Sequence, residues 1–338
     1  MRFKLDNNEV YDFFNDIQVQ TKEEQYQIGP FGVLRGSIEY EKFPEFYFEE
    51  HSQVRDNILP VIRAMQLDKP ILLEGPPGVG KTSMIEALAH FTGHKLIRIN
   101  LSEQTDISDL FGSDLPMEGG DSCARFVFCE GPLLKALQEE YTWILFNEMN
   151  LASQTVLEGL NACLDHRGEI FIPELNRKFV VKREKTRIFA SQNLCSMDGS
   201  RKGLPKSFLN RFTVVFMDQL SDNDCRFSLQ KLYPDLNEEI IERMVVFNHN
   251  LLNTVQSDST FARVGGPFEF NLRDLTRWGE VTTSQSVLGS LMPEAFVDFI
   301  YTNKMRSEND RNQIRSFNIP NSNMLNQPCA LIRLWINN

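Results

Sequence analysis

Residues Gly75-Pro76-Pro77-Gly78-Val79-Gly80-Lys81-Thr82 occupy every fixed position of the phosphate-binding loop G-x-x-x-x-G-K-[ST]. An apolar run, Ile71-Leu72-Leu73, stands directly before them, and a helical pattern with Ile85, Leu88 and Ala89 on one face follows. A strand of this kind delivers the chain to the edge of a parallel sheet. Glycines then let the backbone wrap with its N–H groups pointing inward, and the next helix adds the positive end of its dipole. The string predicts a nucleoside triphosphate site lined by Gly75, Pro76, Pro77, Gly78, Val79, Gly80, Lys81, Thr82 and Ser83. Lys81 reaches the β- and γ-phosphates and Thr82 holds Mg²⁺ in this reading.

The flanking patterns extend the same architecture. Val54, Ile58, Val61, Ile62 and Met65 recur at helical spacing, and Lys95 to Asn100 alternates like a strand. Trp143 to Phe146, Arg187 to Ala190 and Thr213 to Phe216 read as buried parallel strands. Strands alternating with helices give an α/β fold with a parallel sheet. Between Ser102 and Leu134, a helix over Thr105 to Phe111 is broken by Pro116, Gly119 and Gly120, and the β-prone run Arg125 to Phe128 follows. A hairpin inserted into a helix explains this. Ile170 to Ile172 and Phe179 to Val181 pair as a second hairpin. From Asp222 the strands stop, and helices are expected over 237–252, 272–282 and 293–305. The chain divides into an N-terminal segment (1–28) without strong periodicity, a nucleotide-binding domain (29–220), a helical domain (221–306) and an irregular tail (307–338).

Charge and cysteine usage narrow the function classes. A formal net charge of −11 and a pI near 5.1 argue against gripping nucleic-acid backbones over a wide surface, so no sequence-specific nucleic-acid contact is expected. No apolar stretch approaches a membrane span, and Met1 to Gln27 lacks the layout of a secretory signal. Cysteines 123, 129, 163, 195, 225 and 329 form no C-x-x-C pair and read as reduced, mostly buried thiols. His90 and His94 are spaced for one helical face, but Gly93 is expected to end the helix between them.

Hydrolysis needs a metal holder, a water activator and a γ-phosphate sensor, all supplied from strand ends beside the loop. Glu148, after the buried run Ile144-Leu145-Phe146, is the expected water-activating base. Asn147 stands where an aspartate would orient the hydration shell of Mg²⁺; it keeps the carbonyl acceptor and loses the charge. Asn193, in Gln192-Asn193, is expected to position water against the γ-phosphate, the alternative being a turn-capping residue. Arg211, just before the last strand, suits delivery in trans to a neighbour's γ-phosphate. Arg273, opening a helix of the second domain, is expected to fold onto the phosphates; the alternative is a solvated arginine paired with Asp274 or Glu269.

With these residues assembled, the chain resembles the AAA+ ATPases. The stretches Leu96 to Asp106, Asn147 to Gln154, Leu157 to Glu174, Arg201 to Phe212 and Gly265 to Trp278 resemble the midasin family more closely, with the likeness running from about Ile28 to about Phe317. The resemblance implies a AAA+ P-loop NTPase with a helix-2-insert hairpin and a small all-helical lid domain, using ATP and Mg²⁺. It implies neighbouring AAA+ modules in a ring, pre-60S ribosomal assembly factors as partners, and a nuclear location (nucleolus and nucleoplasm). With one phosphate loop and no Asp-x-Ser-x-Ser adhesion motif, the sequence resembles one module of a larger machine. Competing readings are a module that holds ATP structurally with little hydrolysis, a fragment without independent activity, and a DNA-loading AAA+ protein. A small-molecule kinase shares only the loop.

Overall fold

The computed structural model describes residues 11–14, 17–22, 25–28, 30–40, 53–117, 125–183, 185–193, 203–257, 261–266, 268–286 and 296–316. Cys123, Cys195, Cys329, Gly119, Gly120, residues 293–295 of the third expected helix and the tail from 317 lie outside them. The chain divides into two compact units, the first ending at Gln219 and the second beginning, apart from residues 47–49, at Leu220.

The first unit opens on an antiparallel four-stranded sheet of β1 (Tyr11–Phe14), β2 (Ile17–Lys22), β3 (Gln25–Ile28) and β4 (Phe31–Leu34). This corrects the expectation of an unpatterned segment up to residue 28. Ile28 pairs with Phe31 across the turn, so the chain on both sides of Ile28 belongs to one sheet. The strands are short, and in β3 a single pair, Tyr26 and Ile28, faces the interior; too few alternations accumulate to register as a period.

Helix α1 (Gln53–Ala64) leads to β5 (Ile71–Gly75), the phosphate loop and α2 (Lys81–Thr92). Gly93, in the left-handed conformation at φ 77°, ends α2 and turns His94 out of its helical face. After β6 (Lys95–Asn100), α3 (Ile107–Phe111) gives way to the hairpin of β7 (Gly112–Met117) and β8 (Arg125–Glu130), and α4 (Pro132–Gln138) resumes the helix. Helix α3 starts two residues later than expected, because Asp106 precedes it and its N–H donates to Asp109 Oδ2 at 2.9 Å, a helix-entry contact. Then come β9 (Thr142–Asn147), α5 (Gln154–Leu164), the hairpin β10 (Glu169–Ile172) and β11 (Arg177–Val180), β12 (Arg187–Asn193), α6 (Lys206–Leu209) and β13 (Thr213–Phe216).

The central sheet has the order β13-β5-β12-β9-β6, and all its pairings are parallel. Every residue of β9 is buried, as are six of the seven in β12; strands covered on both faces read as unbroken apolar runs rather than alternations. Register sets the functional edge. Asn193 pairs with Gly75 and Asn100 with Asn147, so these strands end side by side where the phosphate loop begins.

The second unit is helical: α7 (Asp222–Leu232), α8 (Glu238–Ser257), α9 (Leu272–Ser286), α10 (Val297–Ile300) and α11 (Glu308–Ser316). Tyr301 meets Phe247 and Trp278 edge-on, with centroids 5.3 and 5.5 Å apart, and its buried hydroxyl donates to Asn248 Oδ1 at 3.1 Å. Helix α11 lies where an irregular tail was expected. Its stretch of charged and amide residues shows almost no apolar period, yet buried Ile314 anchors it to the core, and Asp310 Oδ1 accepts the Ala262 N–H at 3.2 Å.

Among the described cysteines, Cys129, Cys163 and Cys225 are free thiols, and burial pushes the thiols of Cys163 and Cys225 up to about 12. Cys129 is exposed.

Candidate functional site

The site grows from the end of β5. A Cβ on Gly75 would stand 2.5 Å from the carbonyl oxygen of Met217, whose N–H bonds to Glu74 O at 2.8 Å. The first loop glycine therefore admits the backbone that follows β13. Gly78 and Gly80 take φ 81° and 84°, values a side chain resists. Gly80 caps α2 with no side-chain bond to the first turn, so these backbone donors are left for an anion.

Lys81, 9% exposed, aims its ammonium back along the loop. Nζ donates to Gly75 O and Pro76 O, both at 2.8 Å, and to Asn193 Oδ1 at 2.9 Å. These neutral acceptors are ones that phosphate oxygens outcompete, since charge-assisted bonds are roughly twice as strong as neutral ones.

Thr82 Oγ1 donates to Asn147 Oδ1 at 3.2 Å. Ser191 Oγ donates to the same oxygen at 3.1 Å, while Asn147 Nδ2 donates to Asn100 Oδ1 at 2.9 Å. The Thr82 hydroxyl and Asn147 carbonyl are neighbouring hard, neutral oxygens. That pair fits Mg²⁺ held mainly by its waters and by phosphate rather than by a protein carboxylate.

Glu148 follows β9 in the left-handed conformation, φ 55° and ψ 46°, which costs a residue with a side chain about 1–3 kcal/mol. Its carboxylate accepts from Asn193 Nδ2 on both oxygens, at 3.0 and 3.1 Å. Gln192 Nε2 instead donates to Glu74 Oε2 at 3.1 Å.

Lys81, Thr82, Asn147, Glu148 and Asn193 thus meet at one edge, with Ser83 exposed on the first turn of α2. Asn100 and Ser191 join them without having been singled out. Their signal was the polar residue that each of these strands carries at its carboxyl end. Asn193 does not merely cap a turn: it holds Lys81 and Glu148 together.

Arg211 lies elsewhere. It precedes β13, whose first residue Thr213 pairs with Ile71 at the start of β5, whereas the phosphate loop leaves the far end of β5. Nη1 donates to Ser207 O at 2.6 Å, and Nε is buried without a hydrogen-bond partner among the described residues. A cavity of about 820 Å³ opens beside it, lined in part by Lys69, Asp165, Arg167, Lys182 and Arg183. Arg273 belongs to the second unit and is exposed on α9. Asp274, offered as its alternative partner, is engaged by Lys304 at 2.5 Å and Arg277 at 3.8 Å.

Residues 70–212 match the AAA domain of the dynein-related subfamily, and residues 227–318 match the midasin AAA lid domain. Midasin of Dictyostelium discoideum is 46% identical over 294 residues, 87% of this chain and 5% of its own length. Midasin of Giardia intestinalis is 44% identical over 228 residues, 68% of this chain and 5% of its own. A Staphylococcus saprophyticus protein is 30% identical over 190 residues, covering 55% of this chain and 70% of that protein. The chain therefore spans about 5% of the length of the midasins it matches. With both matches in sequence order around this site, residues 70–212 form an AAA domain of the dynein-related subfamily, residues 227–318 form a midasin-type AAA lid domain, and the chain is similar to a single AAA module of midasin.

Proposed function

We propose that this module binds ATP with Mg²⁺ and hydrolyses it to drive a ring-shaped machine. The observation carrying this reading is the convergence of Lys81, Thr82, Asn147, Glu148 and Asn193 at the carboxyl edge of the sheet. Lys81 and the amides of the loop bind the phosphates. Thr82 and Asn147 would hold Mg²⁺, which would supply charge neutralisation at the phosphates. Glu148 accepts the proton of the attacking water, and Asn193 orients the groups around the γ-phosphate.

Arg211, at the opposite end of its own β5, suits a neighbour's nucleotide better than its own. Hydrolysis then requires an adjacent module, and the midasin likeness supports such an arrangement. By the same likeness we propose remodelling of pre-60S ribosomal particles in the nucleus as the work of the whole machine. The neutral Asn147 favours a second reading, in which the module holds ATP to stiffen the ring and turns it over slowly.

Binding of a fluorescent ATP analogue and Mg²⁺-dependent phosphate release, measured for the native chain and Lys81→Ala, test the site. The substitution is expected to weaken binding by about 2–4 kcal/mol, the scale of a lost charged contact. Unchanged affinity would remove the phosphate-loop assignment. Tight binding with no turnover, even beside a neighbouring module, would select the structural reading.

A further inference from the structure

A second cavity lies at the amino edge of the central sheet, at the opposite end of the strands from the phosphate loop. It measures about 360 Å³, the size of a small-molecule site. Val33 of β4, Met65 after α1, His94 before β6 and Trp143 of β9 form its floor, and each is at most 5% exposed. Arg187 opens β12, pairs with Trp143 across the parallel ladder, and stands at the rim with Asp68 and Lys185.

His94 is the polar member of that floor. Its Nδ1 lies 2.8 Å from Thr92 Oγ1, whose own proton goes to Leu88 O at 2.8 Å. Nδ1 therefore carries the imidazole hydrogen, and Nε2 keeps a lone pair. Burial, assisted by Arg187, pushes the ring down to about 4, so that lone pair stays free of a proton at neutral pH. Nε2 has no hydrogen-bond partner among the described residues, and a buried acceptor left without one is costly. Since His94 lines the cavity, a partner for Nε2 comes from within it. Arg187 has donors to spare as well. Nη1 donates to Leu67 O at 2.6 Å, while its ion-pair partner Asp68 stands 3.9 Å away with a side chain 78% exposed. An ion pair so open to water holds a guanidinium weakly. Lys185, on the same rim, is engaged by Glu140 at 2.7 Å.

We propose that this cavity binds a small organic acid whose apolar body carries an O–H or N–H donor. The donor meets His94 Nε2, the carboxylate meets Arg187, and the apolar body lies over Val33, Met65 and Trp143. A bare anion has nothing to give Nε2, a neutral alcohol leaves the guanidinium unpaired, and an amine meets a like charge. The site is separate from the nucleotide loop, because Trp143 and Arg187 stand at the starts of strands whose far ends carry Asn147 and Asn193.

The probe is para-hydroxybenzoate, compared with benzoate, which lacks the donor, and para-hydroxybenzyl alcohol, which lacks the charge. Affinities are measured by calorimetry on the full chain for native, His94→Phe and Arg187→Gln. The native chain is expected to bind para-hydroxybenzoate about three- to ten-fold more tightly than either comparison compound, the scale of one hydrogen bond. His94→Phe should erase the preference over benzoate and keep that over the alcohol, and Arg187→Gln should do the reverse. In the native chain, para-hydroxybenzoate should also shift the nitrogen NMR resonance of His94 Nε2 while benzoate leaves it in place, an observation that needs no variant to fold. Absence of saturable binding, equal affinities for para-hydroxybenzoate and benzoate, an unmoved Nε2 resonance, or a preference that survives His94→Phe would each mean that water alone serves this cavity, and would overturn the proposal.

Discussion

Thr82 Oγ1 and Asn147 Oδ1 are joined by a 3.2 Å hydrogen bond that ties the start of α2 to the end of β9. The acceptor is an amide carbonyl at a position where a carboxylate would carry a full charge. Asn100 completes the arrangement by accepting from Asn147 Nδ2 at 2.9 Å.

Asn147→Asp should be tolerated by the fold, because the Asn100 amide can turn over and present its N–H₂ to the new carboxylate. The added charge should lower the Mg²⁺ concentration at half-maximal nucleotide binding or turnover by about tenfold or more. A unit charge about 4 Å from a cation is worth well over 1.4 kcal/mol near a protein surface. A Mg²⁺ titration of the native and substituted chains checks this. Superimposable curves would remove Asn147 from the metal.

Arg211→Ala separates cis from trans action. Since Arg211 precedes the strand start that pairs with Ile71, the isolated chain should keep its ATP affinity and its slow basal rate. When the chain is assembled with neighbouring modules, hydrolysis at the adjacent site should fall by about 10³-fold or more, the usual worth of an arginine finger. Loss of basal turnover in the isolated chain would mean that Arg211 serves its own nucleotide.

Gly75→Ala tests the close approach at the loop's first residue. The new Cβ would meet the Met217 carbonyl oxygen at 2.5 Å, with backbone on both sides, so the strand ends must part. An expected loss of about 1–3 kcal/mol, as for other overpacked positions, should appear in denaturant unfolding together with weaker ATP binding. Native stability in this variant would contradict the packing of β5 against the segment after β13.

His94 makes stability depend on pH. It is buried, stacked on Trp143 at 4.7 Å, and Thr92 Oγ1 lies 2.8 Å from Nδ1. The Thr92 hydroxyl proton is directed to Leu88 O at 2.8 Å, so Nδ1–H is the donor of that contact. Burial, assisted by Arg187, lowers the imidazole from its usual 6.5 to about 4. The unfolded chain therefore takes up the proton first, and stability falls as pH drops from about 6.5 through about 4, by up to about 3 kcal/mol. His94→Phe retains a ring against Trp143 and cannot titrate. Chemical unfolding of both proteins across this range should give a shallower slope for the variant; equal slopes would mean that His94 is not held neutral.

The sequence by itself determined the elements whose signal is local. The phosphate-loop string, the apolar runs of β9 and β12 and the glycine and proline breaks around the inserted hairpin are all written within short windows. Burial on both faces leaves an apolar run in any order of strands, and left-handed turns call for glycine wherever they occur. The antiparallel strands before Leu34 and helix α11 escaped because their elements are short or mostly polar; a single anchor such as Ile314 or a pair such as Tyr26 and Ile28 makes no period. Only the tertiary structure decided which strand ends stand together. Asn100, Asn147, Ser191 and Asn193 come from three neighbouring strands, while β5, which precedes all three in the chain, lies beyond β12 and so beside the last of them, and nothing local encodes a parallel register across crossovers. That register converts Asn193 from a residue near the phosphates into the link between Lys81 and Glu148. It also sets Arg211 at the far end of the strand whose other end opens the phosphate loop.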